Sequence, residues 1–451
     1  MPSHATESVL YGASFATPEL LAVFSDENRV RKWYDVEVAL ARVQADLGMI
    51  PEAAAREIAR RARVENVNLV EIGRGISETA HPIVPAIRAV EALCEDGAGE
   101  FIHYGATTQD IMDTGMTLQV RQAWPVLRRD LDACQDALVV LARAHRSTPM
   151  AGRTHGQQAL PVTFGYKCAV WVDEIRRQKI RMREAEARIM SGNITGAVGS
   201  MASFGPRGRE MQRRTLDALG LATPAICWHS SRDRVVELAH VMTQIAATLA
   251  KIAREFYILQ QVEFGEVAEP HHHAKIGSST MPHKRNPATL ELAIALERLV
   301  RAQQVAIMDA VHQENERYTA MLRIELAAVP EMIVYTGSLL AKMRFVLEGL
   351  EVYPARMRAN LDLLGGLLLS ERVMLALGEM IGKQTAHEVV HDIAMMAHET
   401  GTPFRQALLD DERVSGHFDA TRIDALLDPA GYIGSCEALV DDVVAQVASD
   451  A

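Results

Sequence analysis

The string Gly277-Ser278-Ser279-Thr280-Met281-Pro282-His283-Lys284-Arg285-Asn286-Pro287 concentrates the residue types that anion binding and base chemistry require. Two serines and a threonine supply hydroxyls, Gly277 frees the backbone, and Lys284 and Arg285 add two cations. Asn286-Pro287 reads as a helix cap followed by proline at the first helical position, so a positive helix end is expected to face the loop. Together these features predict an anion-receiving site in which a serine hydroxyl is activated as a base. The same composition also suits a solvated turn whose cations face water.

A second cluster is Thr107-Thr108-Gln109-Asp110, followed by Asp113 and Thr114. Hydroxyls with an acidic residue three positions on are expected at a helix start, since Thr and Asp are preferred caps. A third is Arg153-Thr154-His155-Gly156-Gln157, where His155 has the side chain best matched to proton transfer near neutral pH. His81, before Pro82, is a further histidine with either a structural or an assisting role. His271-His272-His273 invites a metal reading, but consecutive histidines cannot converge on one ion from a regular element, and no neighbour has ligand spacing. No metal site is expected.

Helices must position these segments. Of 451 residues, 48% are hydrophobic and only 5% aromatic, a mixture that favours helix over sheet. From Asp233 to Phe264 there is neither Gly nor Pro, and Leu238, Met242, Ile245, Leu249, Ile252, Phe256 and Leu259 recur at alternating steps of four and three. Ala288 to Val329, Tyr166 to Ser191 and Val126 to Thr148 are equally unbroken, and strands are expected to be few, with 192–205 the place for one. Helices this long cannot bury their apolar faces in a compact monomer, so an elongated bundle completed by other subunits is expected. The texture divides the chain into an N-terminal helical domain (1–111), a central long-helix bundle (112–356) and a C-terminal helical domain (357–451). A net charge of −11 argues against nucleic acid or an anionic membrane as partner. Five scattered cysteines without metal spacing, no export signal at the start and no long apolar run predict a cytoplasmic protein. Without a GxGxxG after a strand or a P-loop, no cofactor is implied.

The loop resembles the GSSxMPxKxNP signature of the fumarase/aspartase superfamily, Gly105–Thr114 is similar to its TSxDxxDT segment, and Arg153–Gln157 resembles the RTHGQ of adenylosuccinate lyases. The resemblance implies an all-α, three-domain fold whose long helices form a twenty-helix core in a homotetramer, with active sites composed from several subunits. It implies anti elimination beside a carboxylate of a small substrate, usually releasing fumarate. By this likeness Ser278 is the base and His155 the acid, with His81 assisting. Lys284 and Asn286 hold the carboxylate and its aci-carboxylate intermediate. Thr107, Thr108, Gln109, Thr154, Gln157, Ser279, Met281 and Arg317 line the substrate.

The likeness departs from adenylosuccinate lyases where those enzymes hold a phosphate. Leu322, Leu326 and Leu363 stand at positions expected to be polar or basic, and Trp228 replaces a substrate-contacting Gln. A dianion needs charge-assisted partners, so a nucleotide substrate is disfavoured. Trp228–Arg234, the start of the chain and Leu426–Tyr432 look like 3-carboxy-cis,cis-muconate lactonizing enzymes, which generally lack the histidine matching His155. The leading expectation is a lyase that cleaves a C–N or C–O bond of a phosphate-free succinyl compound. Cycloisomerisation of 3-carboxymuconate is the alternative, ahead of true adenylosuccinate cleavage.

Overall fold

The computed structural model describes residues 4–271, 278, 280–281 and 283–450. Five long helices dominate: α1 (Thr108–Ala144), α2 (Phe164–Ile189), α3 (Asp233–Gln260), α4 (Ala288–Asp309) and α5 (Thr319–Glu348). Among the described residues, strands form two small antiparallel pairs, β1 (Pro149–Thr154) with β2 (Gln157–Thr163) and β3 (Val267–Ala268) with β4 (Glu351–Val352). The fold is all-α, as expected. No strand lies in 192–205, which is irregular chain and turn leading into a 3-10 helix at Ala202–Arg207, with positive φ at Gly196, Gly199 and Gly205.

The apolar seam read in α3 is real, for all seven of its residues from Leu238 to Leu259 are buried. The unbroken Ala288–Val329 run is not one helix. It breaks between α4 and α5, although no Gly or Pro marks the spot. His312 to Arg317 offers no apolar side chain to bury, and Asn315 takes a left-handed φ of 57°. Pro330 conversely sits inside α5, where Ala328, Val329, Met332 and Ile333 are all buried, and packing outweighs the lost N–H. α1 likewise begins far ahead of the expected Val126 and runs through Gly115 and Pro125. By composition α3 and α5 would cross a membrane, yet 56% and 72% of their most apolar stretches are buried in the protein, as in core helices.

The chain divides into two compact units built from discontinuous segments: 1–132, 178–250 and 292–341 in the first; 133–177, 251–291 and 342–451 in the second. The first unit is organised on the helix Asp26–Asp46, capped by Ser25, whose hydroxyl accepts from Asn28 N at 3.2 Å. This helix buries Val30, Trp33, Val36, Leu40 and Val43, and Tyr34 donates to the Ala86 carbonyl at 3.0 Å. A Cβ at Gly337 of α5 would lie 2.0 Å from Leu20, so that approach exists only because residue 337 lacks a side chain. The second unit has a core of Val373, Leu377, Val389, Ile393, Phe404, Leu408 and Ile423. Arg146 ties its last helix, Cys436–Asp450, through Glu437 and Asp441.

Candidate active site

In the first unit the Thr107–Thr114 segment is both a helix start and a site wall. Asp110 Oδ2 accepts from Thr107 N at 3.0 Å, half of a capping box at the head of α1. The same carboxylate, completely buried, also accepts from Thr195 N and Gly196 N at 2.9 Å and binds His229 Nε2 at 3.0 Å. Gln109 spends both amide hydrogens inward, on Asp113 at 3.1 Å and the His229 carbonyl at 3.0 Å. Both donors thus tie Gln109 to the inside of the segment, and its side chain also lines the cavity beside the head of α1.

One turn further on, Asp113 meets Arg232 through two 3.0 Å bonds, and the guanidinium also binds Glu325 of α5, with Nε to Oε1 at 2.8 Å. Arg232 lies over the Trp228 ring at 4.9 Å. Burial opposes the guanidinium charge, but Asp113 and Glu325 together push its pKa up. Burial, helped by the Asp113 charge, holds the Glu325 pKa above the usual carboxylate range against the pull of Arg232. The sequence assigns no role to Arg232 or Glu325; its nearest signal is the Trp228–Arg234 segment with its distinctive tryptophan.

His229 is the other silent member. Burial works against its charge, yet the Asp110 and Cys227 hydrogen bonds and the Asp110 and Asp113 charges raise its pKa from 6.5 to about 9. Its stabilising contribution is therefore complete below about 6.5 and is lost as pH rises through about 9. The thermal midpoint of the protein is expected to fall over that window by more than that of a His229→Gln variant; parallel curves would refute it.

A cavity of about 600 Å³ opens in this unit beside the head of α1. His81, Arg317 and Arg323, with Ser77, Thr108, Gln109 and Thr319, supply its polar lining, Met112, Leu322 and Leu326 an apolar wall, and among the described residues no Asp or Glu lines it. In a chain of net charge −11, that acid-free lining makes the cavity locally receptive to an anion. Arg317 donates to the Thr107 hydroxyl. His81 Nδ1 accepts from Val84 N at 3.2 Å, which leaves the proton on Nε2, 3.4 Å from the Thr108 hydroxyl. His81 is thus a helix cap whose free nitrogen is a donor at the cavity.

The second unit carries the other expected residues. Thr154 pairs with Gln157 across a two-residue turn, and His155 and Gly156 take φ of 52° and 77° there, the geometry of a tight hairpin. Arg153 fixes the hairpin by two bonds to buried Glu266, at 2.7 and 3.1 Å. Thr154, His155 and Gln157 are presented exposed at its tip, and no hydrogen bond joins His155 to Ser278 among the described residues.

Ser278 Oγ accepts from Met281 N at 3.1 Å and Thr280 N at 3.3 Å, so two backbone dipoles favour negative charge on that oxygen. Lys284 and Met281 are exposed and Asn286 is half-buried, while Ser279, with Gly277 and Pro282, lies outside the described residues, as do His272 and His273. Two expectations for this loop need correcting. Arg285 is not a free cation, because it binds Glu351 at 2.6 and 3.1 Å and holds that carboxyl down at about 2. Nor is the N-terminus of α4 open to an anion: Glu269 accepts from Thr289 N and Leu290 N at 3.0–3.2 Å. The chain's own carboxylate fills that place. Among the loop's cations, Lys284 alone keeps its charge uncommitted among the described residues.

A family model described as lyase matches residues 13–301, and one described as the adenylosuccinate lyase C-terminus matches residues 366–443. The N-acetyl-S-(2-succino)cysteine lyase of Dickeya dadantii is 45% identical over 98% of this chain and 98% of its own. The enzyme of the same name from Enterococcus italicus is 44% identical over 99% of this chain and 98% of its own. The solved 3-carboxy-cis,cis-muconate lactonizing enzyme of Pseudomonas putida superposes with a TM-score of 0.94 at 34% identity, covering 98% of this chain and 99% of that one.

Proposed function

This chain belongs to the fumarase/aspartase superfamily of lyases, and from that premise we propose that it catalyses anti β-elimination on a phosphate-free succinyl thioether, releasing a thiol and fumarate. The observation that carries the reading is the cavity without an acidic lining residue, which Thr108, Thr319 and Arg317 line together with the apolar Leu322 and Leu326, Arg317 being held by the Thr107 hydroxyl. The hydroxyls and cation suit one carboxylate of a succinyl group, and the apolar wall suits the carbon and sulfur beyond it. A nucleotide phosphate would find leucine there instead of charge.

In the proposed reaction Ser278 Oγ takes the Cβ proton and the electron pair moves into the adjacent carboxylate. Lys284 and Asn286 stabilise the aci-carboxylate so formed. The pair then returns to make the C=C bond as the Cα–S bond breaks. Sulfur is favoured over the nitrogen or oxygen expected from sequence because the relatives at 44–45% identity act, by name, on a succinated cysteine. A thiol, with a pKa of about 8.5, also leaves far more readily than an amine or alcohol. His155 is the proton donor, but a thiolate makes little demand on it. His155→Gln is therefore expected to slow thioether cleavage by less than about tenfold and to slow cleavage of an N-succinyl analogue by a hundredfold or more. Equal losses on both would remove His155 from that role.

Arg317→Met is expected to raise KM by about ten- to a hundredfold with a smaller change in kcat, since a charged donor to a bound carboxylate is lost. The reading itself is tested by supplying N-acetyl-S-(2-succino)cysteine, N-succinyl amino acids and 3-carboxy-cis,cis-muconate and following fumarate formation. Fumarate from the thioether supports it, and none from any succinyl compound overturns it. Consumption of the muconate alone would favour cycloisomerisation, for which the 0.94 superposition speaks. We further infer a homotetramer whose sites combine segments of several copies. Val140, Val170, Val305 and Met308, exposed apolar residues on the long helices, support this, and light-scattering mass measurement tests it.

A further inference from the structure

Away from the carboxylate cavity the first unit holds a second group of reactive side chains. Cys227 is half-buried, and Thr195 Oγ1 lies 3.1 Å and Asn193 Nδ2 3.9 Å from its Sγ. The Thr195 hydroxyl also has Asn193 Oδ1 at 3.3 Å and Asp110 Oδ1 at 3.4 Å, but sulfur is larger than oxygen, so 3.1 Å to Sγ is the tightest of the three contacts. On the other side stands His229, completely buried, with Nε2 held by Asp110 at 3.0 Å. Its Nδ1 has no oxygen or nitrogen partner, and the group it faces is the Cys227 thiol. The charged groups around His229 are Asp110 and Asp113, the latter neutralised by Arg232.

The other thiols lack this setting. Burial pushes Cys94 and Cys168 up, and Cys134 and Cys436 are buried too. Burial also works on Cys227, but the His229 and Thr195 hydrogen bonds outweigh it and bring the thiol below its ordinary value. A sulfur, an imidazole and a buried carboxylate in that order form an ion-paired nucleophile.

We propose that Cys227, backed by His229 and Asp110, is a site of covalent modification by electron-poor alkenes conjugated to a carboxyl group or its ester. The Cys227 sulfur forms a bond to one alkene carbon, and the π pair moves to the neighbouring carbon and its carbonyl. That carbanion takes the Nδ1 proton of His229. The products are a thioether and a neutral imidazole that keeps its Nε2 hydrogen on Asp110, so nothing beyond the alkene is consumed. Asp110 then faces an uncharged ring while still holding Thr107 N, Thr195 N and Gly196 N. The loss of charge is thus delivered to the turn that carries Thr107 and Thr108. Fumarate, the product of the proposed elimination, belongs to this class of alkene, but the reactivity of Cys227 does not depend on that elimination.

The test treats the full chain with dimethyl fumarate and, separately, fumarate near neutral pH, and locates adducts by peptide mass mapping. Cys227 is expected to be labelled at least about tenfold faster than Cys94, the other part-exposed thiol. His229→Gln and Thr195→Val are each expected to slow labelling of Cys227 about tenfold while leaving Cys94 unchanged. Equal rates at Cys94 and Cys227, failure of both reagents at Cys227, or unchanged labelling in the variants overturns the proposal. Thr195→Val decides alone if His229→Gln does not fold. Since the readout is adduct mass and not turnover, the result stands whatever the fate of the lyase reading.

Discussion

Ser278→Ala is expected to lower turnover of a succinyl substrate by about 10²- to 10⁴-fold, the range spanned by removal of a positioned general base. The proton it is proposed to take lies beside a carboxylate and is poorly acidic, so little reaction is expected to survive without a base in place. The two N–H groups of Thr280 and Met281 on Ser278 Oγ are what separates this hydroxyl from a surface serine. They also make the variant a clean one. Ser278 is half-buried in a loop and, among the described residues, bonds only to its own next turn, so its loss is expected to leave the thermal midpoint and assembly unchanged. Lys284→Met is expected to follow the same pattern, with kcat and kcat/KM falling together, because the charge it is proposed to stabilise exists only after proton removal. Steady-state kinetics with light-scattering mass measurement checks both. Full activity in Ser278→Ala removes the proposed base.

The loop was legible in the sequence because its chemistry is local: hydroxyls, a glycine and cations lie within eleven consecutive residues. What the sequence could not show is which of those charges are spent. Arg285 is neutralised by Glu351, 66 positions on, and the head of α4 is filled by Glu269, some 20 positions back. Both partners arrive through β3, β4 and their flanks, whose pairing no local pattern announces. The helix content was equally legible, since α3 repeats its apolar residues at steps of four and three. The boundaries were not: Gly115, Pro125 and Pro330 are overridden by burial, and the α4–α5 break comes from a polar run that carries no punctuation. His229 and Arg232 carry no local signal either, since each acquires its meaning from a carboxylate about 90 or more residues away.

The second large effect is on stability. Arg232→Met is expected to cost roughly 3–5 kcal/mol, the penalty for taking the cation from a buried ion network. The side chain is nearly the right volume, so the loss is electrostatic. Asp113 and Glu325, both under 7% exposed, would face each other with no counter-charge. Glu325 already sits above the usual carboxylate range with the guanidinium present, so in the variant it is the group that takes a proton. A carboxylate whose folded pKa is raised gives up stability as pH rises, hence the deficit of Arg232→Met relative to wild type is expected to shrink on acidification. Adding Glu325→Gln to Arg232→Met removes that titration and is expected to recover part of the loss at neutral pH. Arg232→Lys is expected to recover less than its charge suggests, because an ammonium cannot make the paired bonds to Asp113 while also reaching Glu325. Urea denaturation midpoints across pH distinguish these outcomes. A single variant within about 1 kcal/mol of wild type would show that water already reaches the network and screens it. Arg232 would then hold α1 against α5 by packing on Trp228 alone, and the charge around it would have no part in keeping the cavity beside Thr108 in shape.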